Sequence, residues 1–161
     1  MVQLSILRDN REQKPWSFDG FDANVRDATI NTGDYTLPQL CRHNEELDTY
    51  YPHFAVERKA GEDFAESITS NRDRFKKEIK RASDWECPLL VLIESPRRTF
   101  RRREGFMQYR DLTWKQVKGT IESWEKYYNV DFRYAGSRER AERIAYDELL
   151  SRLRAMLFSG G

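Results

Sequence analysis

The sequence predicts an α/β fold in which a mixed sheet is flanked by helices, and three observations carry that expectation. Leu89–Ile93 is a continuous apolar run (LLVLI) bounded by Pro88 and Pro96, as expected for a strand covered on both faces. Short strand-like segments alternate along the chain with longer stretches of helical period. At 161 residues, 39% hydrophobic and 34% charged, a compact fold buries roughly 68–70% of the surface of its unfolded chain. A single domain over residues 1–161 therefore needs neither a disulfide framework nor a structural metal.

Taken in order, Leu4, Ile6 and Leu7 open a strand that ends at Asp9, and Pro15 forces a turn or extended segment after it. Val25–Ile30 reads as a second strand, Thr32-Gly33 as a turn and Tyr35–Leu37 as a third strand, together a hairpin. Residues 39–53 are polar and aromatic without clear period and read as a loop or an extended hairpin tip. Phe54–Lys59 resumes as a strand. From Asp63 the period changes: Phe64, Ile68, Phe75, Ile79 and Ala82 fall at helical spacing, and Asp63 with Glu66 fits a capping box, giving one long helix. Val117, Ile121, Trp124 and Tyr128 mark a second helix, Val130–Tyr134 a last strand, and Gly136-Ser137 caps a third helix from about Arg138 to Phe158. This helix has one apolar stripe of Ala141, Ala145, Leu149 and Met156 and another of Tyr146, Leu150, Leu153 and Leu157. Its width fits either a second subunit or burial against neighbouring elements.

Twenty-eight basic against 27 acidic side chains exert no global pull on nucleic acid, so any affinity must come from clusters. Residues 71–82 carry six basic side chains against two acidic, and residues 97–110 six arginines against one Glu. Cys41 and Cys87 are too few and too isolated for a four-ligand zinc site, and His43 and His53 supply a histidine-built centre poorly, so a catalytic metal would sit on carboxylates. No apolar run approaches the ~18 residues of a membrane span or the long core of a secretory signal, and the sequence reads as intracellular.

Glu57 and Lys59 are two apart on a strand and project from one face, with Arg58 on the other. If Asp34, after Gly33, reaches that face, two carboxylates can hold a hard divalent cation, with water and a substrate phosphate completing its shell. Lys59 can then hold or help deprotonate an attacking water, which points to phosphodiester hydrolysis.

The ordered set Asp9-Asn10-Arg11-Glu12, Gly33-Asp34, Glu57-Arg58-Lys59 and Asp63, followed by DFAESI, RDRFKKEI and LLVLIE, resembles the ERCC4 (XPF-type) nuclease domain over nearly the whole chain. The resemblance implies a restriction-endonuclease-like (PD-(D/E)XK) mixed sheet acting on DNA with Mg²⁺ or Mn²⁺. It implies that Asp34 and Glu57 hold metal, that Lys59 serves the water, and that Asp9 and Asp63 complete the acidic site. Asp63 can equally be a helix cap and Asp9 a strand end. The resemblance assigns Arg58 to the catalytic set, as a phosphate-binding or structural side chain whose carbonyl can reach metal. Arg72, Arg74 and Lys76 would line a DNA groove, with Arg11, Arg97, Arg101, Arg102 and Arg103 as a second wall. Phe100 and Phe106 stack on bases or anchor the arginine segment, and anchoring is the preferred reading.

Residues 38–53 make the distance from Asp34 to Glu57 longer than is usual in the family and would reshape substrate access. The absence of tandem helix-hairpin-helix and helicase segments leaves a stand-alone small member, of a phage, plasmid or archaeal kind, or an excised domain. The expected activity is structure-selective endonucleolytic cleavage of branched or flapped DNA in repair or recombination. A homodimer through the two C-terminal helices is expected. The rival readings are a non-catalytic DNA-binding or scaffolding subunit and a sequence-specific restriction-type enzyme.

Overall fold

The computed structural model describes residues 3–159. Eight strands form one mixed sheet in the order β4-β5-β2-β1-β3-β6-β7-β8. They are β1 (Leu4–Asp9), β2 (Ala23–Ile30), β3 (Tyr35–Thr36), β4 (Cys41–Asn44), β5 (Thr49–Pro52), β6 (Val56–Lys59), β7 (Leu89–Ile93) and β8 (Val130–Tyr134). The helices are α1 (Gly61–Ser67), α2 (Arg72–Lys80), α3 (Arg97–Arg101), α4 (Trp114–Tyr127) and α5 (Arg138–Ser159).

β7 lies between β6 and β8 and pairs in parallel with both. All five of its residues are buried, as its unbroken apolar sequence requires. Period-2 alternation divides the core. Leu89, Val91 and Ile93 join Phe64, Phe75, Ile79, Phe100, Val117 and Trp124 on the face covered by α1–α4. Leu90 and Leu92 join Leu4, Ile6, Trp16, Tyr35 and Ala141, Ala145, Leu149 and Leu153 of α5 on the other. The width of the apolar stripe on α5 is thus explained by burial against its own sheet, while Leu157 and Phe158 at its end are 59% and 84% exposed. α4 opens with a capping box between Thr113 and Gln116, and Ser137 accepts a hydrogen bond from the Arg140 amide at the start of α5.

Four expectations need correction. β2 and β3 are not hairpin partners: β1 lies between them, parallel to β2 and antiparallel to β3. The short turn joining them crosses the end of β1, where the Asp9 amide donates to the Asp34 carbonyl and the Asn10 amide to the Ala28 carbonyl. Of the two readings of residues 39–53 the loop falls and the hairpin holds: after a single 3-10 turn they form the β4–β5 hairpin, which extends the sheet through β5 in parallel with β2. The helix expected from Asp63 begins at Gly61 with Ala60 at the cap position and no side-chain cap, so Asp63 sits inside the first turn. It also divides, because the chain turns between Ser67 and Arg72 before α2 starts. Among the described residues no helix is long and apolar enough to cross a membrane.

Candidate active site

The site lies where β6 leaves the sheet beneath α2. Val56 and Arg58 face the α5 side, so Glu57 and Lys59 must face α2. Phe75 and Glu78, three apart on α2, share a helix face. Phe75 meets the Lys59 ammonium, whose nitrogen is 4.5 Å from the ring centre, and Glu78 meets the Glu57 carboxyl. Among the described residues Lys59 makes no ion pair, which leaves its donors for another group.

Asp34 is delivered by the turn that crosses β1. Its amide donates to the Val56 carbonyl at 2.8 Å and its Oδ2 accepts from the Arg58 amide at 2.8 Å, locking it against the strand that carries Glu57. Gly33 makes this approach possible. It has φ of +88°, and a Cβ there would lie 2.5 Å from the Ala55 Cβ, so only glycine fits the left-handed turn and the packing together.

The Asp34 and Glu57 carboxyls are neighbours, and each shifts the other's proton affinity. Burial pushes Asp34 up to about 6, against the opposing pull of hydrogen bonds from Glu57 and the Arg58 amide. Glu57, only 3% exposed, is raised well above the usual carboxylate range, first by burial and then by the charges of Asp34 and Glu78. Two buried carboxylates beside a third acid store electrostatic repulsion that a proton or a cation relieves.

Among the described residues no group of three or more His, Cys, Asp or Glu side chains is arranged to hold a metal ion. Two carboxylates suffice for a cation such as Mg²⁺, which keeps waters and takes its other ligands from substrate phosphates. An all-oxygen, buried and mutually repelling pair fits a hard divalent cation, and Asp34 and Glu57 are the side chains that would hold it.

The other predicted residues go elsewhere. Asp9 is 4% exposed; its carboxylate is engaged by Arg11 at 2.9 Å and faces the Ile30 amide, and its backbone amide donates to the Asp34 carbonyl. Asp63 is exposed on α1. Arg58 projects from the opposite face and is clamped between Glu12 at 3.1 Å and Glu94 at 2.6 Å, all three side chains under 10% exposed. Burial pulls its proton affinity down, and the hydrogen bonds and charges of the two glutamates more than restore it. Arg58 is therefore a strut that touches the site through its backbone amide.

Several of the cations assigned to DNA have internal partners. Arg72 donates to the Ile68 carbonyl and Thr120 hydroxyl and stacks on Trp124, and Arg97 lies over Trp114. Arg103 donates to the Met107 and Arg110 carbonyls. Arg101 and Arg102 are exposed, as is Arg74, and Lys76 is half-buried on α2. Phe100 is fully buried against Phe64 and Phe106, the anchoring role.

Sequence reasoning assigned no role to Glu78, Glu12 or Glu94. Glu78 had a signal, since it follows Phe75 by three residues and so belongs to the buried side of α2. Glu94 also had one, as an acid closing a wholly apolar strand.

The sheet order, the helices on both faces and the placement of Asp34 from a turn against Glu57 and Lys59 of β6 define a restriction-endonuclease-like α/β domain. The family model for the ERCC4 domain matches residues 8–147, and the chain belongs to that family. Among solved structures, XPF from Aeropyrum pernix is similar with a TM-score of 0.64 at 17% identity, over 94% of this chain and 69% of that one. XPF from Aeropyrum pernix in complex with DNA gives 0.63 at 17% identity, over 95% and 66%. No curated protein matches the chain significantly in sequence.

Proposed function

We propose that the chain is a divalent-metal-dependent DNA endonuclease that hydrolyses phosphodiester bonds at Asp34, Glu57 and Lys59. The observation that carries this is the buried Asp34–Glu57 pair on the strand face that also bears an ammonium with no ion partner. Membership of the ERCC4 domain family, and similarity in fold to an XPF solved with DNA, support the same reading.

Mg²⁺ or Mn²⁺, when bound, supplies Lewis-acid polarisation of the phosphoryl oxygen and acidifies a water. Asp34 and Glu57 would provide the negative charge that seats the cation and must be ionised to do so. Lys59, held against Phe75, donates to the attacking water and offsets the charge that develops on the phosphoryl oxygens. Arg58 keeps the strand between these side chains at a fixed height. The substrate class within this reading is branched or flapped DNA, in repair or recombination.

The test is cleavage of labelled flap, fork, Holliday-junction, single-stranded and linear duplex DNA in Mg²⁺ or Mn²⁺. Wild type should cut a junction in preference to linear duplex, and Lys59→Ala should cut about 10²-fold slower or worse. DNA binding without metal-dependent cutting of any substrate would leave a scaffolding subunit, and equal cutting by the variant would exclude Lys59.

The same reading includes a second copy of this chain. α4 and α5 flank the outermost strand β8 on opposite sheet faces, and Tyr127, Leu157 and Phe158 are exposed. Sedimentation velocity should return twice the monomer mass at micromolar concentration, and Phe158→Asp should lower it. A monomer at every concentration would remove the dimer from the proposal.

A further inference from the structure

The hairpin that lengthens the chain between Asp34 and Glu57 builds a groove beside the site. About 340 Å³ of space lies between the β4–β5 hairpin and the end of α2, lined by Asn31, Arg42, Tyr51, His53, Arg81 and Trp85, with Asp84 and Pro52 also bordering it. Hydrogen bonding ties the groove to the site from two directions. Arg81 follows Glu78 by three residues and so lies along the α2 face that covers Glu57. Its Nε donates to the Thr32 hydroxyl at 3.2 Å, in the turn that delivers Asp34. The hairpin is fixed on the far side, where the Asn31 amide donates to the Tyr50 carbonyl.

Two guanidinium groups without an acidic partner among the described residues flank this groove. Elsewhere several arginines are neutralised: Arg8 by Asp27, Arg11 by Asp9, Arg110 by Glu62 and Glu66, Arg133 by Asp131 and Glu148. Arg42 and Arg81 have no carboxylate within 4 Å among the described residues, although both are exposed. Arg42 is instead aligned by stacking on Tyr51, 4.6 Å from the ring centre. The larger cleft, about 680 Å³ around Tyr109 and Lys115, lacks this property, since its arginines, Arg72 and Arg110, are both satisfied internally. Two oriented, unneutralised guanidinium groups flanking a groove are the donor set for phosphodiester oxygens.

We propose that this groove is a phosphate-binding track, in which Arg42 and Arg81 hold the backbone of one DNA strand as it leaves the Asp34–Glu57 pair. The proposal rests on the nuclease reading for its substrate. The hairpin, rather than the arginine-rich segment from Arg97 to Arg103, is then the second wall of the substrate path.

The test is fluorescence anisotropy of labelled 20-nucleotide single-stranded and duplex DNA, titrated with salt in EDTA so that nothing is cut. Arg42→Ala/Arg81→Ala is compared with Arg42→Lys/Arg81→Lys and with Arg154→Ala on the exposed side of α5. The alanine pair should bind about 10-fold more weakly. It should lower the slope of log affinity against log salt by roughly 1.4 for the single strand or 1.8 for the duplex, as two lost phosphate contacts require. The lysine pair and Arg154→Ala should keep the wild-type slope. An alanine pair with wild-type affinity and slope on both DNAs overturns the track. Wild-type binding that depends on the two arginines without metal-dependent cutting would preserve the track and remove the nuclease reading, so the two fail separately.

Discussion

Asp34→Asn is expected to stabilise the metal-free protein at pH 8 while abolishing cleavage. The carboxyl is raised from 3.8 to about 6 chiefly by burial, beside a Glu57 that is raised further. For an acid raised on folding, the folded state binds the proton more tightly. The stabilisation from that proton is complete below the unfolded value and is lost as pH rises through about 6. Above that pH the fold carries the strain of a buried, ionised Asp34, on the order of 2–3 kcal/mol. An asparagine removes the strain at little structural cost, because its Oδ1 can still accept from the Arg58 amide while its amide nitrogen donates to Glu57. Urea denaturation in EDTA should show wild type losing stability between pH 4.5 and pH 8 while the variant changes less. At pH 8 the variant's Tm should be higher by about 4–8 °C. Mg²⁺ should raise the Tm of wild type only, since a cation relieves the same repulsion. Under the nuclease reading, cleavage by wild type should rise through pH 6 and fall at least about 10²-fold in the variant. A variant less stable than wild type at pH 8 would mean that the pair is not strained.

Arg58→Ala should be among the most destabilising single substitutions in the chain. Removing the guanidinium leaves Glu12 and Glu94, 8% and 6% exposed, as buried acids that have lost a 3.1 Å and a 2.6 Å partner. Breaking a buried ion cluster in this way costs about 3–5 kcal/mol. Glu94 retains the Trp16 indole as a donor and Arg138 at 3.6 Å, so Glu12 suffers most. Denaturation midpoints of Arg58→Ala, Glu12→Gln and the double variant form a cycle. The coupling should be large, and the double variant less damaged than the two losses summed. Additive losses would show that Arg58 and Glu12 do not act as a unit. Arg58→Lys should be intermediate, because an ammonium cannot reproduce the fork that spans two carboxylates.

Local signals made some of this legible. The LLVLI run gave β7 because a strand buried on both faces has no polar position to offer, and the spacing of Val117, Ile121 and Trp124 gave α4 because packing demands one apolar stripe. The shared face of Glu57 and Lys59 followed from the period of a strand alone. The β4–β5 hairpin could not be told from a loop because its residues, Pro52 apart, are half-buried or exposed and carry no alternation. The division of α1 from α2 was hidden because Phe64, Ile68, Phe75 and Ile79 continue the apolar spacing across the turn.

The arginine clusters were the weakest guide. Charge in a sequence does not say whether a guanidinium meets water, a phosphate or its own chain. Arg72 caps carbonyl and hydroxyl groups and covers Trp124, whereas Arg42, in a segment with no basic run, stands without an acidic partner.

The sequence by itself determined which strands are buried, which side of β6 carries Glu57 and Lys59, and that Gly33 must precede Asp34 at a tight turn. These are local properties, fixed by backbone period and by the steric freedom of one glycine. Tertiary structure alone decided that the turn crosses β1 to bring Asp34 onto Glu57, that Glu78 joins them from α2, and that Arg58 is consumed by Glu12 and Glu94. Each of those contacts joins residues more than 20 positions apart. Their energies depend on burial and on the geometry of the partners, which exist only once the sheet order is set.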